Sequence, residues 1–169
     1  MLQEHAKIVD FIATADGITG RKKLQKMIFI LKKMGVPFQE KYEFHIYGPY
    51  SEELTARIEE LCDMGFLSEE LEDKGSYVRY KYNVTQEGKD FRGTLKESVI
   101  DNPEIAAKLN EKSSRFLELT STLLYFDHLE RAEQIEKLHV VKAKLNFTAE
   151  EIEEAFGFID ELGQMKKLP

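Results

Sequence analysis

Apolar positions recur at helical spacing from the start of the chain. Leu2, Ala6, Val9 and Ile12 fall on one face of a helix predicted over residues 3–15. Asp16 and Gly17 follow, with glycine suited to the left-handed position that ends a helix. Thr19 stands where an N-cap is expected. Leu24, Met27, Ile28, Leu31 and Met34 then repeat at three and four residues, the core stripe of a second helix over 20–34 that Gly35 and Pro37 close. At "YEFHIYG" the period becomes two: Tyr42, Phe44 and Ile46 alternate with Glu43, His45 and Tyr47 as in a half-buried strand, which Gly48 and Pro49 break.

Ser51 caps a third helix, with Glu52 and Glu53 in its first turn, an inner stripe of Leu54, Ile58, Leu61 and Cys62, and Gly65 at its close. Residues 66–71 and 77–84 read as two strands around the turn "EDKGS", with Val78, Tyr80, Tyr82 and Val84 on one face and Arg79 and Lys81 on the other. The rest is helical. Thr85 caps one helix, and Asn102, Pro103 and Glu104 supply cap, N1 proline and first-turn acid for the next. Residues 113–129 are apolar over most of the circumference and therefore buried. Thr148 and Glu151 form a capping-box pattern ahead of the stripe Ile152, Ala155, Phe156, Ile159 and Leu162.

The order helix, helix, strand, helix, hairpin is close to a winged helix. "ARIEELCDMGFLSEE" followed by "YVRYKYNVTQEGKDF" resembles the helix, Gly-Phe-Leu, strand and Tyr-x-Val-Thr-x-x-Gly pattern of many winged-helix regulators. A sharper resemblance lies in "KLQKMIFILKK" followed by "FHIYGPYSEEL". These look like the Leu-Gln-Lys and Tyr-Gly-Pro signatures of the Panacea, or SocA-like, antitoxin family, carried here by Leu24, Gln25, Lys26, Tyr47, Gly48 and Pro49. That match covers about the first 65 residues; the family's later Thr-His and Pro-Trp element is not reproduced in "LLYFDHLERAE". The chain as a whole resembles the YwgA-like proteins of Bacillus relatives. The antitoxin resemblance implies action by contact with a protein, such as a toxin, rather than catalysis. The expected fold is α+β: a winged-helix-like domain over residues 1–98, in which the 42–47 strand pairs beside the 66–84 hairpin, and a helical extension over 99–169 packed on it.

Composition narrows the function. The chain has 169 residues, 42% of them hydrophobic, with 11 Phe and 7 Tyr, enough for a packed core. No apolar run is long enough to span a membrane, and the N-terminus lacks a signal-peptide charge pattern. The single Cys62 makes no intramolecular disulfide, and a reducing cytoplasm is the expected location. His5, His45, His128 and His139 are scattered without metal-ligand spacing, so neither a metal nor a cofactor is expected. "GITGRKK" lacks the spacing of a phosphate loop. Asp127, His128 and His139, with Glu133, are the one arrangement an enzyme would use, and surface pairing explains them more simply.

The stretch "GRKKLQKMIFILKKM" places six cations in a chain of net charge -7. On a helical wheel Lys22, Lys26, Phe29 and Lys33 fall together, opposite Leu24, Ile28 and Leu31, a plausible contact face with Tyr47, Gly48 and Pro49 shaping the adjoining turn. The competing reading puts Phe29 beneath later helices and pairs the lysines with in-chain carboxylates. The third helix turns Glu52, Ala56, Glu59 and Asp63 outward, and the hairpin adds Glu69, Glu70, Glu72 and Asp73. These are the elements a winged helix brings to DNA, and their charge opposes phosphate. The expectation is a non-enzymatic protein-interaction module, antitoxin-like or adaptor-like. A DNA-binding regulator is the alternative.

Overall fold

Most helices form where their caps predict. In this computed structural model, which describes residues 2–46 and 48–167 (the Lys167 side chain excepted), α1 spans Gln3–Thr14 and α2 Arg21–Lys33. Helix α3 (Glu52–Asp63) starts at Ser51, whose Oγ accepts from the Leu54 N–H at 3.1 Å. Helix α4 (Gln86–Arg92) is capped by Thr85, α5 (Pro103–Glu111) by Asn102 and α6 (Ser114–Tyr125) by Ser113. Helix α7 covers Arg131–Val141, and a short 3-10 turn (Ala143–Leu145) leads to α8 (Ala149–Lys167). The capping box is present: the Thr148 N–H donates to Glu151 Oε1 and the Glu151 N–H to Thr148 Oγ1. Arg115 adds a two-point contact to the same carboxylate, and these bonds hold Glu151 at a pKa of about 2.

The sheet differs from expectation at one edge. Strands β4 (Leu67–Asp73) and β5 (Val78–Val84) form the hairpin, with Leu67 opposite Val84 and Asp73 opposite Val78. The third strand is β1 (Ile18–Thr19), which pairs with Tyr82 and Lys81 to give the order β1-β5-β4. Thr19 is therefore a strand residue and not a helix cap; the Gly20 N–H continues the pairing by donating to Tyr80 O at 2.7 Å. That edge of β5 is thus occupied by β1, and the 42–47 segment does not join the sheet. Strand β2 (Glu43–His45) folds back on β3 (Gly48–Tyr50) as a separate two-stranded unit. Gly48 and Pro49 thus build a strand instead of ending one, and Pro49 is tolerated because the unit has only edge strands. Tyr47 lies outside the described residues.

One apolar cluster joins α1, α2 and α3 to α5, α6 and α8, running from Ile8 and Phe11 through Leu24, Ile28 and Leu54 to Ile105, Leu109, Leu117 and Leu162. A second cluster of Leu119, Leu123, Leu138, Phe147, Ile152 and Phe156 sits between α6, α7 and α8. A buried carboxylate fixes the segment that links the two halves. Asp10 accepts from Arg92 Nε (2.6 Å), Ser98 Oγ (2.8 Å) and the Val99 N–H (2.7 Å). Among the described residues no helix is long and apolar enough to cross a membrane.

The Tyr-x-Val-Thr-x-x-Gly stretch has a steric origin. Thr85 Oγ1 accepts from the Gly88 N–H (3.0 Å) and donates to Gly65 O (2.6 Å), which presses α4 onto the corner between α3 and β4. A Cβ on Gly88 would lie 2.1 Å from Phe66 O, a backbone atom that cannot swing aside. Gly88→Ala is expected to destabilise the protein by about 1–3 kcal/mol in urea titration. Gly157→Ala, where a Cβ meets nothing within 4 Å, should be neutral or stabilising by about 0.5–1 kcal/mol. Equal effects at the two positions would refute the account.

Candidate functional site

Helix α2 is covered on nearly every side, so its polar residues must find partners inside the protein. Gln25, buried, gives both ends of its amide to one residue. Its Nε2 donates to Ser51 O and its Oε1 accepts from the Ser51 N–H, each at 2.9 Å. The side chain thus pairs with backbone as a neighbouring strand would. Nε2 also lies 3.0 Å from Thr55 Oγ1, and the Tyr42 hydroxyl donates to Gln25 O at 2.9 Å. The next residue, Lys26, is 2% exposed and its ammonium donates to Pro49 O at 3.1 Å. Leu-Gln-Lys and Gly-Pro-Tyr-Ser are therefore two halves of one lock.

A second lysine closes the other side of the turn. Lys142, buried at the end of α7, donates to Ile46 O at 2.7 Å and pairs with Glu118 of α6 at 3.1 Å. Two ammonium groups and one carboxylate thus share the space behind Ile46, Gly48 and Pro49. Burial lowers the Lys26 pKa to about 8; Glu118 opposes that shift, and Lys142 and Lys22 add to it. Gly48 closes the packing. Its φ is +90°, and an added Cβ would sit 3.5 Å from both Lys26 Cε and Thr122 Oγ1.

The front of the unit rests on aromatic rings. Phe44 packs on Tyr125 and Phe126 with centroids 5.2 and 5.7 Å apart, and Phe29 lies 5.0 Å from Tyr42. Ile46, which alternation assigns to the buried face, is instead 84% exposed at the tip of the turn. Val140 and Val141, just before Lys142, are exposed as well. A turn held by buried side chains from two helices thus presents an isoleucine to solvent.

Beside this turn, β3 borders a pocket of about 260 Å³. Leu24, Ile58 and Tyr82 line it, with the Tyr50 and Thr55 hydroxyls 2.7 Å apart. At its rim the Tyr82 hydroxyl donates to Glu69 at 2.6 Å, and Arg21 Nε donates to that hydroxyl at 3.2 Å.

The expected basic face is not a surface. Phe29 is 4% exposed and Lys26 is buried, because α6 and the β2-β3 unit cover that side of α2. Lys22 is exposed at the pocket rim, and Lys33 pairs with Asp127 at 3.0 Å. Gly48 and Pro49 are buried behind the turn they shape, and Tyr47 is not described. Asp127 is engaged by Lys33, while His128 and His139 are exposed. Burial and the nearby Glu69 and Asp63 push the Cys62 thiol up to about 11, which disfavours a thiolate nucleophile at neutral pH. No group of metal-ligating side chains occurs among the described residues. Lys142, Glu118 and the exposed Ile46 were missed; Lys142 and Glu118 lie far from the motif in sequence and carry no local signal.

No protein-family model matches the chain. It is 52% identical over 168 residues to Uncharacterized protein YwgA of Bacillus subtilis (strain 168), across 98% of this chain and 99% of that protein.

The buried lysine gives stability a pH signature. The folded Lys26 ammonium releases its proton near 8, the unfolded one near 10.5, so the unfolded chain binds more protons between those values. Stability contributed at this site therefore rises with pH across that window, by about 2 kcal/mol between about pH 7 and pH 9.5. Urea titrations of wild type and Lys26→Met should diverge with that sign. Curves that stay parallel across the range would refute it.

Proposed function

The chain belongs to the YwgA family; from the geometry of the clamped turn we propose that it is a non-enzymatic protein-interaction module, antitoxin-like or adaptor-like, that meets its partner through that turn. The observation that carries this reading is Ile46: an isoleucine 84% exposed on a turn whose carbonyls are bound on both sides by buried lysines. A side chain so costly to leave in water, on backbone so firmly held, suits an anchor that loses little conformational entropy on binding. Lys26, Gly48 and Pro49 then serve by positioning the turn, and Phe29 by supporting it from the core.

The scaffold supports a winged-helix reading. Helices α1, α2 and α3 precede the β4-β5 hairpin, β1 follows α1 and completes the sheet, and the β2-β3 unit is an insertion between α2 and α3. DNA binding is the less favoured use of that scaffold. Glu52, Ala56, Glu59 and Asp63 are all exposed on α3, and Glu69, Glu70 and Asp73 on β4, so the surfaces that would approach a duplex repel it.

A photo-crosslinking residue at position 46 is expected to capture a discrete protein partner in native extract, while the same residue at Glu153 on α8 captures none. Ile46→Asp should abolish co-purification of that partner with an unchanged melting temperature, since substitutions of exposed side chains fall within about ±0.5 kcal/mol. Partner capture that survives Ile46→Asp would retire the turn as the contact. In gel shifts at about 150 mM salt no retardation of duplex DNA is expected; sub-micromolar, sequence-selective binding there would put the regulator first.

A further inference from the structure

The pocket between α2, α3 and the hairpin opens onto an apolar strip that leads away from the body. Side chains alternate along a strand, so Tyr82, Tyr80 and Val78 share one face of β5, opposite Glu69, Leu71 and Asp73 of β4. Near the body this face is core: Tyr82 and Leu67 are buried. Further out Arg21 covers part of Tyr80, while Leu71 is 58% and Val78 57% exposed. The pocket and the strip form one continuous surface, since Tyr82 and Glu69 line the first and begin the second.

The walls of this surface are acidic. Glu59 of α3 and Glu69 of β4 stand on the pocket itself, with Glu52 and Asp63 further along the exposed side of α3 and Asp73 further along β4. The cations that line the pocket come from the start of α2, and Arg79 and Lys81 of β5 lie on the opposite face of the hairpin. Lys22 lies at the rim, and Arg21 is engaged by Glu69 (3.6 Å) and lies 3.6 Å from the centroid of the Tyr80 ring. We propose that this pocket and strip dock a basic segment of a partner protein, which seats one bulky apolar side chain against Leu24 and Ile58 and lays lysine or arginine residues along the carboxylates of α3 and β4. A cavity of about 260 Å³ accommodates a single large side chain, and Leu71 and Val78 extend the apolar surface beyond what a small amine would cover. The surface is distinct from the Ile46 turn, so the two sites stand or fall separately.

The test is an array of hexapeptides carrying every apolar and aromatic residue at the two central positions, flanked by either lysine or glutamate, read by fluorescence anisotropy against the full chain. Lysine-flanked peptides with a large central side chain should bind at least tenfold tighter than their glutamate counterparts. Binding should fall at least tenfold in Glu59→Lys with Asp73→Lys, and several-fold in Leu71→Ser with Val78→Ser. It should not change in Glu153→Lys with Glu154→Lys, a reversal of equal charge on α8, nor in Ile46→Asp. Absence of a lysine preference, or equal losses in the two charge reversals, would overturn the proposal. Phenethylamine competing fully at a similar concentration, with no effect of the Leu71 and Val78 changes, would replace the peptide with a small amine and overturn it too.

Discussion

A helix buried on nearly all sides cannot leave a glutamine and a lysine unanswered, and the rest of this structure follows from how those two residues are answered. Gln25 has four hydrogen-bonding sites on its amide and Lys26 three donors, and both side chains are almost fully buried. Their backbone partners come from a single stretch, residues 49–51, that lies across the helix. The amide of Gln25 does for Ser51 what a strand would do, so this backbone needs no place in a larger sheet. That is why the β2-β3 unit can stand apart from the sheet formed by β1, β5 and β4.

Electrostatics reinforces the arrangement. Charges held in low dielectric need partners with good geometry, and Lys26, Lys142 and Glu118 form a compact set in which each cation also finds a carbonyl. Glu40, fully buried, is matched in the same way by Arg57 of α3, which ties the approach to β2 to the helix after β3. The outer surface shows the opposite pattern, with carboxylates of α3 and β4 left to solvent.

Local signals in the sequence were legible, and non-local pairings were not. The caps at Ser51, Thr85 and Asn102 and the Thr148–Glu151 box were readable because each depends on residues within one helical turn. The β4-β5 hairpin was readable because its turn residues and alternation lie side by side. The register of β1 was hidden: a two-residue strand has no period, and Thr19 fits a cap as well as a strand. The basic wheel failed for a related reason. A wheel separates an apolar side from a basic one, but α2 is covered on both, and whether a lysine meets water or a buried carbonyl depends on Pro49 and Glu118, which the wheel does not contain.

The Asp10 carboxylate bears on how the molecule comes apart. It sits on α1 yet holds Arg92, Ser98 and Val99, the stretch where an N-terminal unit would be cut from the helices that follow. The apolar cluster crosses the same line, from Ile8 to Met165. Any fluctuation that frees the C-terminal helices pulls Ser98 and Val99 away from Asp10 and bares the inner sides of α1 and α2 at once. The seam therefore behaves as a keystone rather than a hinge. Loss of packing in either half weakens the other.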